Sequence, residues 1–131
     1  MERLLYISTA RQPLGAQELD LILRNARHRN AAANVTGILV AGGRRFLQLL
    51  EGPADAVSAL FERIERDPRH FAVVKLSHST IDRRQTHDWS MAYHDLNAGL
   101  TLPEIVDRLI AEIDDPSLAA EFGQFARRHA A

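Results

Sequence analysis

The stretch Phe46-Leu47-Gln48-Leu49-Leu50-Glu51-Gly52-Pro53 constrains this chain more than any other. It reads as a short buried strand running into a helix start. Its apolar run is broken once, by Gln48. A buried carboxamide without partners costs roughly 1–3 kcal/mol. Gln48 must therefore bond to neighbouring backbone or face a polar partner inside the core, either a ligand or a tyrosine.

The rest of the chain supplies the frame. Arg3 to Thr9 reads as a strand, with Leu4, Tyr6 and Ser8 on one face and Leu5 and Ile7 on the other. Ala16 to Asn30 reads as a helix whose Leu19, Ile22, Leu23 and Ala26 form an apolar stripe. Its polar end, Arg24 to Asn30, carries Arg27, His28, Arg29 and Asn30 and fits a solvated helix terminus with cations near the negative end of the dipole. Thr36 to Ala41 and Arg44 to Glu51 are strands joined at Gly42-Gly43. Pro53 is expected at the first helical position of the next helix, with Val57, Leu60, Phe61 and Ile64 as its stripe. That helix should stop near Asp67-Pro68. Phe71 to Ser77 is a fourth strand and Trp89 to Tyr93 a fifth.

The order β-α-β-β-α-β-β predicts an α+β, ferredoxin-like βαββαββ sheet with two helices on one face. A slot between paired helices admits a flat ligand. Beyond Asn97 the pattern changes to two amphipathic helices. The first opens on a Thr101/Glu104 capping box, and the second follows Asp115-Pro116. Each must bury its stripe, against the open face of the sheet or against another subunit. The expected division is a sheet domain over residues 1–96 and a helical extension over 97–131.

Composition removes whole classes of function. The chain has 131 residues and a net charge of −1, so no basic field points to nucleic acid or to an anionic membrane. It has no cysteine, which excludes disulfides, thiolate metal sites and thiol nucleophiles. No apolar run approaches the ~18 residues of a membrane span. The N-terminus shows no secretory pattern, so a cytoplasmic location is expected.

In the ferredoxin-like order the first and third strands are central neighbours, which sets Tyr6 beside Gln48 under the helix pair. A phenol beside an amide can pass electrons and protons, but it lacks the base and nucleophile of a hydrolase. The chain is not expected to be an enzyme. The segments Leu5-Tyr6-Ile7-Ser8, Asn34-Val35-Thr36-Gly37-Ile38-Leu39, Arg45 to Pro53, Asp67-Pro68-Arg69-His70 and Asp88-Trp89-Ser90-Met91 occur in this order and spacing. In them the chain resembles the BLUF domain family, blue-light sensors that use FAD, over roughly Arg3 to Leu96.

The resemblance implies FAD as the cofactor, with FMN and riboflavin left open. It implies that Tyr6 gives an electron and then a proton to photoexcited flavin. Gln48 would lie between that tyrosine and flavin N5/O4, and Asn30 would bond the polar edge of the ring. Ile22 and Ile64 would sandwich the ring. Arg63, Asp67, Arg69 and His70 would meet the ribityl and phosphate side. Arg29, counted with the cofactor contacts, stands where other members carry Asn or His. Trp89 and Met91 match residues linked to signalling. A rotated or tautomerised Gln48 would leave a small red shift. No effector signature follows Leu96, so a separate protein partner or a homo-oligomer would carry the output. The alternatives are a cofactor-free ferredoxin-like interaction module, an acylphosphatase-type hydrolase, which would need a phosphate-cradling glycine-rich loop that is missing, and an RNA binder, which would need exposed aromatics and basic charge.

Overall fold

The computed structural model describes residues 1–12, 16–42, 44–86, 102–111 and 113–128. Its elements run β1 (Glu2–Ala10), α1 (Ala16–Ala32), β2 (Thr36–Gly42), β3 (Arg45–Gly52), α2 (Ala54–Glu65), β4 (His70–Thr80), α3 (Leu102–Ile110) and α4 (Pro116–Arg128). The four strands form an antiparallel sheet in the order β2-β3-β1-β4, the ferredoxin-like order. The expected fifth strand, with Trp89 and Met91, lies outside the described residues.

Alternation along β1 and β3 divides the core in two. Leu4, Tyr6 and Leu50 point to the face covered by α2, where they pack with Val35, Val57 and Phe61. Leu5, Leu47 and Leu49 point the other way and join Ile38 and Val40 in a second cluster with Val106, Leu118, Phe122 and Phe125 of α3 and α4. Val106, Leu118, Phe122 and Phe125 of the two C-terminal helices thus pack on the sheet itself.

Local chemistry fixes several joints. α1 ends in a Schellman turn: Val35 N–H donates to Asn30 O (2.8 Å) and Asn34 N–H to Ala31 O (3.2 Å). Asn34 takes the left-handed conformation this turn needs, with φ of 59°. At Gly37 a Cβ would come within 2.0 Å of the Leu49 carbonyl oxygen, so only glycine lets β2 approach β3 here. Pro53 is the residue capping α2 rather than its first helical residue. Its φ of −57° fits either position and its ψ of 140° does not fit the helix, so the boundary moves by one residue.

Candidate functional site

β1 and β3 pair so that Tyr6 stands directly opposite Gln48. Their side chains share the face under α1 and α2, and the Tyr6 hydroxyl donates to Gln48 Oε1. Both residues are buried. The Tyr6 ring meets Phe61 of α2 edge-on, with centroids 5.4 Å apart and planes at 67°. Burial first, and then the negative charge of Asp67, push the Tyr6 phenol well above its ordinary pKa. Burial therefore favours the protonated hydroxyl.

Above this pair α1 and α2 leave a cleft of about 130 Å³. That is an order of magnitude more than the ~10–15 Å³ that admits one water, so the cleft is no packing defect. Its apolar walls include Ile22 and Leu23 from α1 and Leu60 and Ile64 from α2. Tyr6, Ser8, Phe46 and Gln48 rise into it from the sheet. Its polar rim comprises Arg29, Asn30, Asp67, Arg69 and His70. Arg63 is exposed and lies outside this lining, in a shallower depression that it shares with Arg29, Asp67 and Arg69.

The rim is ordered from within. Arg69 Nε sits 2.9 Å from both Asp67 oxygens, and the Arg69 backbone N–H also donates to Asp67 Oδ1 at 2.9 Å. The side-chain bond from Arg69 is the main cause that lowers the Asp67 carboxyl to about 2. The same bond raises the Arg69 guanidinium. The His70 ring bonds Ile64 O through Nε2 at 2.5 Å and ties the end of α2 to the start of β4. Arg29 is lowered, first by burial and then by repulsion from Arg63 and Arg69.

Two rim donors are buried without a partner among the described residues: Asn30 Nδ2 and Arg29 Nε. Buried donors of this kind are rare in finished cores, because each forfeits its hydration. Here they fit the edge of a flat molecule that carries carbonyl oxygens between apolar faces, as an isoalloxazine ring does. Among the described residues no group of three acidic or imidazole side chains could hold a metal, and no helix is long and apolar enough to cross a membrane.

The structure brings Tyr6, Ile22, Arg29, Asn30, Gln48, Ile64, Asp67, Arg69 and His70 to one cleft and leaves Arg63 at its outer edge. Ser8 and Phe46 also line it, although neither was singled out from the sequence. The signal was present: they share the strand parity of Tyr6 and Gln48.

Comparison with known proteins gives one consistent likeness. The family model described as sensors of blue-light using FAD matches residues 1–92. The photoactivated adenylate cyclase subunit beta of Euglena gracilis is 36% identical over 107 residues, which cover 81% of this chain and 12% of that protein. The curated cyclase relatives matched first are therefore far longer than this chain. The dark-state structure of BlrB, a BLUF protein, superposes with a TM-score of 0.75 at 31% identity, covering 97% of this chain and 96% of that one. Klebsiella pneumoniae BlrP1, solved with FMN and cyclic diGMP, gives a TM-score of 0.80 at 28% identity, covering 96% of this chain and 35% of that one.

Proposed function

Given that this chain belongs to the BLUF family, sensors of blue light using FAD, we propose that Tyr6 and Gln48 are its photoactive pair and that the cleft between α1 and α2 holds the flavin without a covalent bond. The single observation that carries this reading is the Tyr6–Gln48 hydrogen bond at the floor of an apolar-walled cleft. A bound flavin supplies absorption of blue light and, once excited, a strong one-electron oxidising power.

The chain's own groups do the rest. Ile22 and Ile64 hold a flat ring between the helices, and Asn30 and Arg29 offer it their unpartnered N–H groups. Tyr6, kept protonated by burial, can release its electron only together with its proton or just ahead of it. Gln48 Oε1, already bonded to the hydroxyl, is the acceptor toward which that proton moves. When the charge returns, the Gln48 amide has a second way to settle. The lasting product is an altered hydrogen-bond pattern with no bond made or broken, so the chain acts as a sensor and not as a catalyst.

FAD is the expected flavin by family, with FMN as the alternative. A downstream effector protein receives the output, as the cyclase and cyclic-diGMP relatives suggest. The cofactor-free interaction module is disfavoured by the cleft and by its two orphaned donors.

The test is the visible spectrum before and after blue light. The wild type should show a flavin spectrum with a small reversible red shift. Tyr6→Phe and Gln48→Leu should each keep flavin and lose the shift. A full shift in Tyr6→Phe overturns the donor role, and a colourless protein that takes up no added FAD overturns the reading as a whole.

A further inference from the structure

On the far face of the sheet a second cross-strand pair sits on the same β1–β3 ladder. Arg3 stands directly opposite Glu51, as Tyr6 stands opposite Gln48 three residues along. Glu51 is wholly buried, and its carboxylate receives Arg3 Nε at 2.9 Å. It also receives two successive backbone N–H groups, Gln85 N at 2.9 Å and Thr86 N at 2.7 Å, and the Thr86 hydroxyl at 2.6 Å. A buried carboxylate costs several kcal/mol to desolvate unless its oxygens are bonded, and here four donor groups converge on it. That much investment at one point fixes the 84–86 segment to β3 with little freedom. Arg84 reinforces the joint by donating to Asn34 O (2.8 Å) and Thr36 Oγ1 (2.9 Å).

The joint extends to the chain between α3 and α4. Arg3 Nη1 lies 3.5 Å from Asp115 Oδ2. The other oxygen of Asp115 caps α4, accepting Ser117 N at 3.0 Å and Leu118 N at 3.3 Å. Gln85 Oε1 accepts Asp114 N–H at 2.7 Å. One buried carboxylate thus links β1, β3, the segment leaving β4 and the start of α4.

We infer that Glu51 and Arg3 are positioning residues for the output, which transmit any displacement of β1 against β3 to the start of α4. The inference rests on Tyr6 and Gln48 being the photoactive pair, because it is their bond that spans the same ladder. A change in that bond alters the force between the two strands. Arg3 and Glu51 belong to those strands and must follow.

The test uses the full chain with flavin bound and compares hydrogen exchange in the dark and under blue light. Two substitutions cut the links to α4 and leave Glu51 satisfied: Gln85→Ala removes the acceptor for Asp114 N–H, and Asp115→Asn removes the charge that faces Arg3 but keeps an oxygen for the cap. Wild type should show a light–dark difference in peptides covering 84–86 and 113–118. The double variant should keep the full visible red shift and the difference at 84–86, and lose the difference at 113–118. A purely structural role would raise exchange at 113–118 equally in dark and light and leave the difference in place. That result overturns the inference, as does a wild type that red-shifts with no difference at 113–118. Absence of the red shift in wild type is a failure of the photoactive-pair reading instead.

Discussion

Gln48→Leu offers a way to weigh the Tyr6–Gln48 bond without light. The substitution keeps much of the side-chain volume but leaves the Tyr6 hydroxyl, on a residue 3% exposed, without its acceptor. A buried hydroxyl stranded in this way costs about 1–3 kcal/mol. In a Tyr6→Phe background the same substitution strands no tyrosine hydroxyl, since the ring keeps its contact with Phe61 and carries none. The double variant should therefore be more stable than the sum of the single effects predicts, by about 1–2 kcal/mol. Urea unfolding of the four flavin-free proteins measures this directly. With slopes of about 1–3 kcal/mol/M the coupling shifts the midpoint of the double variant by roughly 0.3–2 M from the additive value. Independent sites add to within about 0.3–0.5 kcal/mol. An additive cycle within that margin would refute the hydrogen bond, and with it the arrangement on which the photosensor mechanism depends.

Asn30→Ala should weaken flavin binding by about tenfold or more, read from quenching of flavin fluorescence, and leave the flavin-free protein as stable as before, since Asn30 Nδ2 has no partner to lose among the described residues; unchanged affinity removes Asn30 from the site. Asp67 is held at about 2, below its ordinary 3.8, mainly by Arg69. Folded protein binds fewer protons there than unfolded protein, so the stability Asp67 gives is present above about 3.8 and is lost as pH falls toward about 2. Asp67→Asn should flatten that limb of the acid-unfolding curve, and an identical limb speaks against the pairing. Ala72 has a φ of 52°, a conformation that costs a residue with a Cβ ~1–2 kcal/mol. Ala72→Gly should raise stability by up to about 1 kcal/mol after the added freedom of the unfolded chain is subtracted, and thermal unfolding shows the sign.

Much of this arrangement is legible in the residues, because it rests on periodicity. Alternation alone separates Leu4, Tyr6 and Ser8 from Leu5 and Ile7, and the 3.6-residue stripe finds Val57, Leu60, Phe61 and Ile64. Order of elements then makes β1 and β3 neighbours and Tyr6 and Gln48 partners. What periodicity cannot carry is the destination of a face. The stripes of α3 and α4 must be buried against something, and only tertiary packing shows that Leu47 and Leu49 share a cluster with Val106, Leu118 and Phe122. Position 63 is a quarter-turn from Ile64 on α2, which puts Arg63 at the rim while Ile64 enters the cleft. Glu51 is the hardest to read. As the last polar residue of an apolar strand it resembles a solvated strand end, and the donors that bury it come from Arg3, Gln85 and Thr86, each more than thirty residues away in sequence.

The energies limit how a light signal can leave the cleft. A rearranged hydrogen bond is worth about 1 kcal/mol net, somewhat more in a buried network. Repacking the far-face cluster around Leu5, Leu47 and Phe122 means opening cavities or forcing side chains off their rotamers, at several kcal/mol for a large side chain. The signal is therefore too small to travel by reshuffling that core. It suffices to shift elements that already share hydrogen bonds and differ little in energy between two placements. On the route inferred above, that element is the β1–β3 ladder. It carries the buried pair on one face and the Glu51 joint on the other, so a strand displacement small enough to leave both core clusters packed reaches both faces at once.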